Sequence, residues 1–352
     1  MASAPVPVPE ADSSRVSGDT RRRTGRRVTL LIGALVLLVL IALGSLLIGS
    51  KPIPPHTVWA ALFAPDGSPD QAIILGSRLP RAILGILAGA ALGVAGALVQ
   101  AFTRNPLAEP GLLGVNAGAS LAIVLAVGTF GITAYSGYVW FAFGGAAAAA
   151  ALVALIGMRG TRRLDPARLV LSGVALGAVL SGIGTGLALL NPSAFDQLRA
   201  WTVGSLADRG SDLLAPVAIT VGIGLLLAAF TGRGLNALAL GEDAARGLGY
   251  HPGRSRVLIL LAITVLAGSA TAAVGAIGFL GLMAPHLARR ISGTDQRWLL
   301  VFSAVLAPII LLIADVIGRV ILPGELEAGV TCALIGAPVL VYLARRKKVA
   351  GL

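Results

Sequence analysis

The sequence predicts an all-α, polytopic membrane protein of about ten transmembrane helices. Of 352 residues, 56% are hydrophobic and only 12% charged, against roughly 25% charged in a soluble domain. Mean hydropathy is +0.87. Apolar runs of about 20 residues recur between polar gaps, the length a helix needs to cross roughly 30 Å of hydrocarbon. These runs do not alternate between apolar and polar residues, as the strands of a barrel would.

Residues 1–27 are rich in Pro, Ser and Arg with almost nothing to bury, and read as a disordered basic tail. Residues 28–352 then form one transmembrane unit. Its first run, 28–49, is longer than a signal-peptide core and is followed by no small-x-small cleavage site, so it reads as a retained span. Further spans are expected at 78–101, 111–130, 137–157, 168–190, 212–231, 257–272, 275–291, 298–319 and 327–344. The division between the seventh and eighth is weakly marked, because Gly268 to Gly278 is built of small residues. Residues 194–207, around Trp201 and Gly204, read as a short helix that does not cross.

Cations set the expected orientation. With the N-terminus in the cytoplasm, 22 of the 28 Lys and Arg fall on that side and six (Lys51, Arg78, Arg81, Arg199, Arg209 and Arg319) on the other. Both termini are then cytoplasmic. The net charge of +12 reflects this bias and attraction to anionic lipid, which removes nucleic acid as a partner.

Little in the chain points to chemistry. Cys332 lies inside the last span and can form no internal disulfide, while His56, His251 and His286 fall in separate connections without ligand spacing. No metal or bound cofactor is expected. A GxxxxGK[ST] phosphate loop is absent from the sequence, so any ATP is used by another chain. The spans hold no carboxylate pair, His cluster or Ser/His set, which argues against an enzyme.

Several local patterns stand out. Gly85, Gly89 and Gly93, and likewise Gly173, Gly177 and Ser181, are spaced by four, as close helix packing in lipid requires. The segment 236–256 holds a short amphipathic helix: Glu242 and Asp243 suit its N-terminus, Arg246 follows at i+4, and Gly247 and Gly249 supply a stop. Leu240 and Leu248 leave it one docking face. In Asn105-Pro106-Leu-Ala-Glu109-Pro110-Gly111, Pro110 suits a first helical position and Glu109 would sit at the positive end of the third span. Pro285-His286 reads as the end of a span, and Arg319 can pair with Asp315 at i,i+4.

Six blocks in order then resemble one family. They are Arg78-Leu-Pro-Arg81 with Gly89 to Gln100, Arg104-Asn-Pro-Leu-Ala-Glu-Pro-Gly to Gly118, Leu240-Gly241-Glu-Asp-Ala-Ala245-Arg-Gly-Leu-Gly249, Gly278-Phe-Leu-Gly-Leu-Met-Ala-Pro-His286 with Arg289, Leu312-Ile-Ala-Asp-Val-Ile-Gly-Arg319, and Gly329 to Pro338. Over roughly residues 30–345 the chain closely resembles the FecCD-type permeases of ABC importers, which take up ferric siderophores, haem and cobalamin.

The resemblance implies a type II importer permease of ten helices in a bacterial cytoplasmic membrane. It implies a second permease subunit, identical or homologous, two ABC ATPase subunits that use the ATP, and an extracytoplasmic solute-binding protein. Iron enters only as part of the transported chelate, with ferric siderophore the first expectation and haem or cobalamin the alternatives. Leu240, Gly241, Glu242, Ala245, Leu248 and Gly249 match the segment that couples to the ATPase, and Arg78, Arg81 and Arg319 match positions that receive acidic residues of the binding protein. The family's cytoplasmic gate falls in Arg163-Leu-Asp-Pro-Ala-Arg168, where Asp165 and Pro166 depart from small hydroxylated residues, so no gate residue is carried over. A stand-alone secondary transporter or channel is the alternative of a different class, and the scarcity of intramembrane charge weighs against it.

Overall fold

The computed structural model describes residues 13–158, 166–322 and 324–345. Among the described residues fourteen α-helices follow in order: α1 Ser13–Leu47, α2 Pro55–Phe63, α3 Pro69–Ile73, α4 Leu79–Thr103, α5 Val115–Phe130, α6 Tyr135–Met158, α7 Pro166–Leu189, α8 Pro192–Val203, α9 Leu214–Ala239, α10 Glu242–Gly247, α11 Pro252–Val274, α12 Leu280–Ser292, α13 Gln296–Ile321 and α14 Ala328–Arg345. A π-helical stretch, Ile74–Arg78, fuses α3 to α4.

Seven helical segments among the described residues are long and apolar enough to cross a membrane: Thr24–Leu47, Pro69–Thr103, Tyr135–Gly157, Ala167–Leu189, Ser211–Ala239, Pro252–Val274 and Gln296–Ile321. Two further apolar helices, Val115–Phe130 and Ala328–Tyr342, are shorter. The expected eighth span is α12, with 13 residues. At 1.5 Å per residue it reaches only about 20 Å, short of the roughly 30 Å hydrocarbon layer.

The expected break between the seventh and eighth spans falls at Gly275, whose φ is +80°. A Cβ there would lie 2.3 Å from the Trp201 carbonyl oxygen, so only glycine fits. The non-crossing helix expected near Trp201 is α8, and the loop after it stitches three elements together. Ser205 N–H donates to the Val274 carbonyl at 2.8 Å, and Gly329 N–H donates to the Gly204 carbonyl at 2.9 Å.

At the center stands α4, buried around nearly its whole circumference and packed on α13, α11, α12 and α9. Apolar contact between helices gains little hydrophobic free energy in lipid, so close backbone approach has to supply the attraction. The Gly85, Gly89 and Gly93 face does this against α13: a Cβ at Gly89 would lie 2.6 Å from Pro308 Cα, and one at Gly93 would lie 2.5 Å from the Ser303 carbonyl oxygen. Gly96 meets α12 even more closely, with the Gly281 carbonyl oxygen 1.9 Å from where a Cβ would be. In the second glycine series Gly173 packs against the Leu112 backbone, whereas a Cβ at Gly177 would meet only Ala117 at an ordinary 3.9 Å.

The basic tail departs from expectation. Helix α1 begins at Ser13, so residues 13–27 are helical where disorder was expected; residues 1–12 lie outside the described part. Once a long helix is nucleated, adding a residue costs little, and arginine is a good helix former. Arg27 also gains tertiary contacts: Nη2 donates to the Ser292 carbonyl at 2.6 Å, and Nη1 lies 3.7 Å from Asp295. The first half of the Arg163–Arg168 connection, including Asp165, lies outside the described residues, while Pro166 opens α7.

Candidate functional site

Helix α10 has six residues, too few to be stable by itself. Its surroundings fix it. Gly241 (φ +106°) turns the chain out of α9, and Gly249 (φ +80°) turns it toward α11. Gly247, expected to share the stop, is the last helical residue and keeps an ordinary φ. Glu242 Oε1 accepts from Arg256 Nη2 of α11 at 2.6 Å, and Arg246 reaches Asp243 at 2.8 Å and Glu242 at 3.2 Å. The exposed pairs contribute only about 0.3–0.5 kcal/mol each; the half-buried Arg256 bond ties the helix to its neighbour.

This arrangement sorts the six expected contact residues. Ala245 is fully buried and Glu242 is turned inward as a clamp, so these two build the segment rather than present it. Leu240 and Leu248 are 69% and 60% exposed. The result is a short helix set off by Gly241 and Gly249, both in open space, with two bare leucines beside it.

Arg104 links α4 to the same end. Its backbone is left-handed (φ +52°), and its Nη2 donates to the Leu238 carbonyl at 2.9 Å, placing a cation on the last turn of α9. Asn236, also near that turn, donates to Asp295 at 3.1 Å and accepts from Gln296 N–H at 2.8 Å. Arg27, α10 and the α12–α13 turn therefore share one end of the molecule.

The turn after α4 is compact, as its sequence predicts: Asn105 Oδ1 accepts from Leu107 N–H at 2.9 Å, with Pro106 between, and Pro110 opens a 3-10 turn to Leu113. The role of Glu109 differs. Its side chain makes no bond to the turn it precedes; Oε1 accepts from Phe279 N–H at 2.8 Å, so the carboxylate caps α12 instead of the third span. Phe279 has φ +64°, which aims that N–H away from its own helix. Sequence proximity pointed to the nearer helix, and the fold brought a more distant one closer.

Burial pushes the Glu109 carboxyl above its ordinary value, partly opposed by the Phe279 hydrogen bond. A raised folded value means the contribution to stability is complete below the ordinary carboxylate range and is lost as pH rises through the shifted value. Glu109→Gln keeps the acceptor without the charge. Its melting temperature is expected to match the parent in acid and exceed it near neutrality; a difference constant across that range would refute this.

Pro285 lies inside α12 and not at the end of a span, and His286 beside it is half-buried. Proline has no N–H for the carbonyl of Gly281, four residues back. Gln100 of α4 fills the gap: Nε2 donates to the Gly281 and Leu282 carbonyls at 3.4 and 3.5 Å, while Oε1 accepts from Arg289 at 3.2 Å. A buried glutamine opposite a helix proline is the sequence signal for this bridge.

At the opposite end the three arginines expected to face a partner are buried, with Arg78 6%, Arg81 9% and Arg319 4% exposed. Arg78 Nη1 donates to the Leu46 and Leu47 carbonyls at 2.7 and 3.1 Å, and Nη2 donates to Lys51 O. Arg319 Nη1 donates to the Ser45 and Ile48 carbonyls at 2.8 and 3.2 Å. Both guanidiniums thus satisfy the free carbonyls at the C-terminus of α1, where cations also suit the helix dipole. Arg81 forks onto Asp315, with Nε 3.0 Å and Nη2 2.8 Å from Oδ1, and its Nη1 meets Glu325 at 2.8 Å. Asp315, fully buried, also takes the expected i,i+4 bond from Arg319. All three guanidiniums thus find partners inside the chain. Glu325, absent from the sequence reading, is the half-exposed member of the cluster.

Comparison with known proteins places these features in context. The ferric enterobactin transport system permease protein FepD of Escherichia coli (strain K12) is 51% identical over 315 residues, 90% of this chain and 94% of that protein. The probable siderophore transport system permease protein YfiZ of Bacillus subtilis (strain 168) is 41% identical over 290 residues, 82% and 87% of the two chains. A solved inward-facing structure described as a metal-chelate type ABC transporter superposes with a TM-score of 0.79 at 27% identity, covering 90% of this chain and 98% of that one. The profile of the FecCD transport family matches residues 35–346, and the chain belongs to that family of membrane permeases.

Proposed function

We propose that this chain is the transmembrane permease subunit of an ATP-driven importer that carries a ferric siderophore across the bacterial cytoplasmic membrane. The observation that carries the reading is the 51% identity to a ferric enterobactin permease over 90% of the chain. In this reading the chain pairs with a second permease subunit, two ABC ATPases supply the energy, and an extracytoplasmic binding protein delivers the chelate. Both termini lie in the cytoplasm, on the side where 22 of 28 cations fall.

Leu240 and Leu248 then form the contact with the ATPase, seated by Gly241 and Gly249 and braced by the Glu242–Arg256 bond. Leu240→Asp with Leu248→Asp is expected to leave the permease in the membrane but lower transport about tenfold or more, which corresponds to about 1.4 kcal/mol of coupling. Co-purification of the ATPase should fall in parallel. Undiminished transport would remove α10 from the interface.

Substrate is tested by uptake in cells lacking their own permease and supplied with this chain and its neighbouring genes. Ferric enterobactin should accumulate in an ATP-dependent manner and compete with other ferric siderophores. Uptake of haem or cobalamin alone would overturn the substrate. Transport by the chain without an ATPase would overturn the mechanism in favour of a stand-alone transporter.

A further inference from the structure

A cavity of about 360 Å³ lies between α6, α7 and α11, within the roughly 300–1,000 Å³ range of small-molecule sites. Its origin is the six-alanine run at 146–151. Ala147, Ala151 and Ala154 of α6 face Val257, Leu261 and Val265 of α11 across the space, and alanine side chains are too short to close it. Among the described residues that line it, Thr264 alone has a side chain with a polar atom. Buried water needs two to four polar partners, so the space suits an apolar occupant.

Two features identify the occupant. Val257 and Leu261 are about half exposed, so the cavity reaches the outer surface of a helix long and apolar enough to span the membrane, where lipid has access to it. Residues 257, 261 and 265 share one stripe of α11, and the same i+3/i+4 spacing continues back to Arg254. Arg254 is exposed and has no ion pair among the described residues. From Val257 to Val265 the stripe runs about 12 Å, most of the roughly 15 Å depth of one leaflet. An apolar slot one leaflet deep with an unpaired cation at its mouth matches an acyl chain below an anionic headgroup.

We infer that this cleft binds one acyl chain of an anionic phospholipid, with Arg254 holding the headgroup. The inference does not depend on what the chain transports. Because α11 follows α10 directly and is tied to it by Arg256, the bound lipid would sit against the helix that braces the exposed leucines.

The test uses the full chain reconstituted into vesicles of phosphatidylcholine containing phosphatidylglycerol, with either lipid carrying a photoactivatable group midway along its acyl chain. Cross-links are expected to map to Ala147–Ala154 and Val257–Val265, about fivefold or more stronger with phosphatidylglycerol. Ala151→Phe should cut that labelling about fivefold while leaving unchanged the labelling of the exposed α9 face at Ile219, Ile223 and Phe230, which also reports that the fold is intact. Arg254→Gln should bring the two lipids to parity. If Ala151→Phe fails to insert, Ala147→Leu makes the same comparison. Equal labelling of cleft and α9 face, indifference to the filling substitution, equal labelling by the two lipids in the parent chain, or cross-links joining two copies of the chain at the cleft would each overturn the inference.

Discussion

Asp315→Ala is expected to produce the largest loss of stability of any single substitution in the chain. The carboxylate is fully buried and accepts from both Arg81 and Arg319. Removing it leaves two guanidiniums out of water with most of their compensation gone. Breaking a buried pair in this way costs about 3–5 kcal/mol, chiefly through the orphaned charge. Glu325 can still hold Arg81 through Nη1, so Arg319 is the group most exposed to the loss. The expected readout is a sharply lowered melting temperature in detergent and poor recovery from membranes. Asp315→Asn, which retains oxygen acceptors, should fall between the two. A variant as stable as the parent would show that the cluster is solvated in the working protein. Arg81→Glu with Arg319→Glu should likewise fail by misfolding, before any effect on a binding partner can be read.

Gly96→Val is expected to rank second. At this position α4 and α12 touch backbone to backbone, with the Gly281 carbonyl oxygen where the new Cβ would go. No flexible side chain can give way, so the helices must separate. Overpacking of this kind costs roughly 1–3 kcal/mol, and backbone on both sides puts it at the upper end. Separation also draws Gln100, one turn further along α4, from the Gly281 and Leu282 carbonyls beside Pro285. Loss of α12 packing should appear as increased protease and hydrogen-exchange susceptibility around 279–292. Gly177→Ala, at a looser contact, is the control and should be nearly silent.

Much of the architecture was legible because lipid imposes few options. Apolar runs of crossing length become helices, and the four-residue glycine spacing in α4 meets α13 as the packing argument requires. The short helix at Glu242 was readable from its charges and flanking glycines. What escaped was pairing across the fold. Nothing near Glu109 in sequence announces Phe279, 170 positions away. The arginines opposite the positive-inside bias were recognisable as exceptions, but their partners lie on α1, on α13 and in the loop before α14. Length was misjudged where composition stayed apolar but glycine and a left-handed phenylalanine broke the helix, as before α12.

The contacts of α1 have a mechanical meaning. Near the start of its membrane-spanning part, Thr24–Leu47, Arg27 grips the Ser292 carbonyl and Asp295, just ahead of α13; at its finish its last carbonyls are held by Arg319, near the end of α13. Two rods joined by rungs at both ends form a braced frame that resists tilting or sliding of one rod past the other. The glycine break between α11 and α12 carries no such arginine rung at Gly275 among the described residues, so it is a joint at which the bundle can bend while α1 and α13 keep their relation.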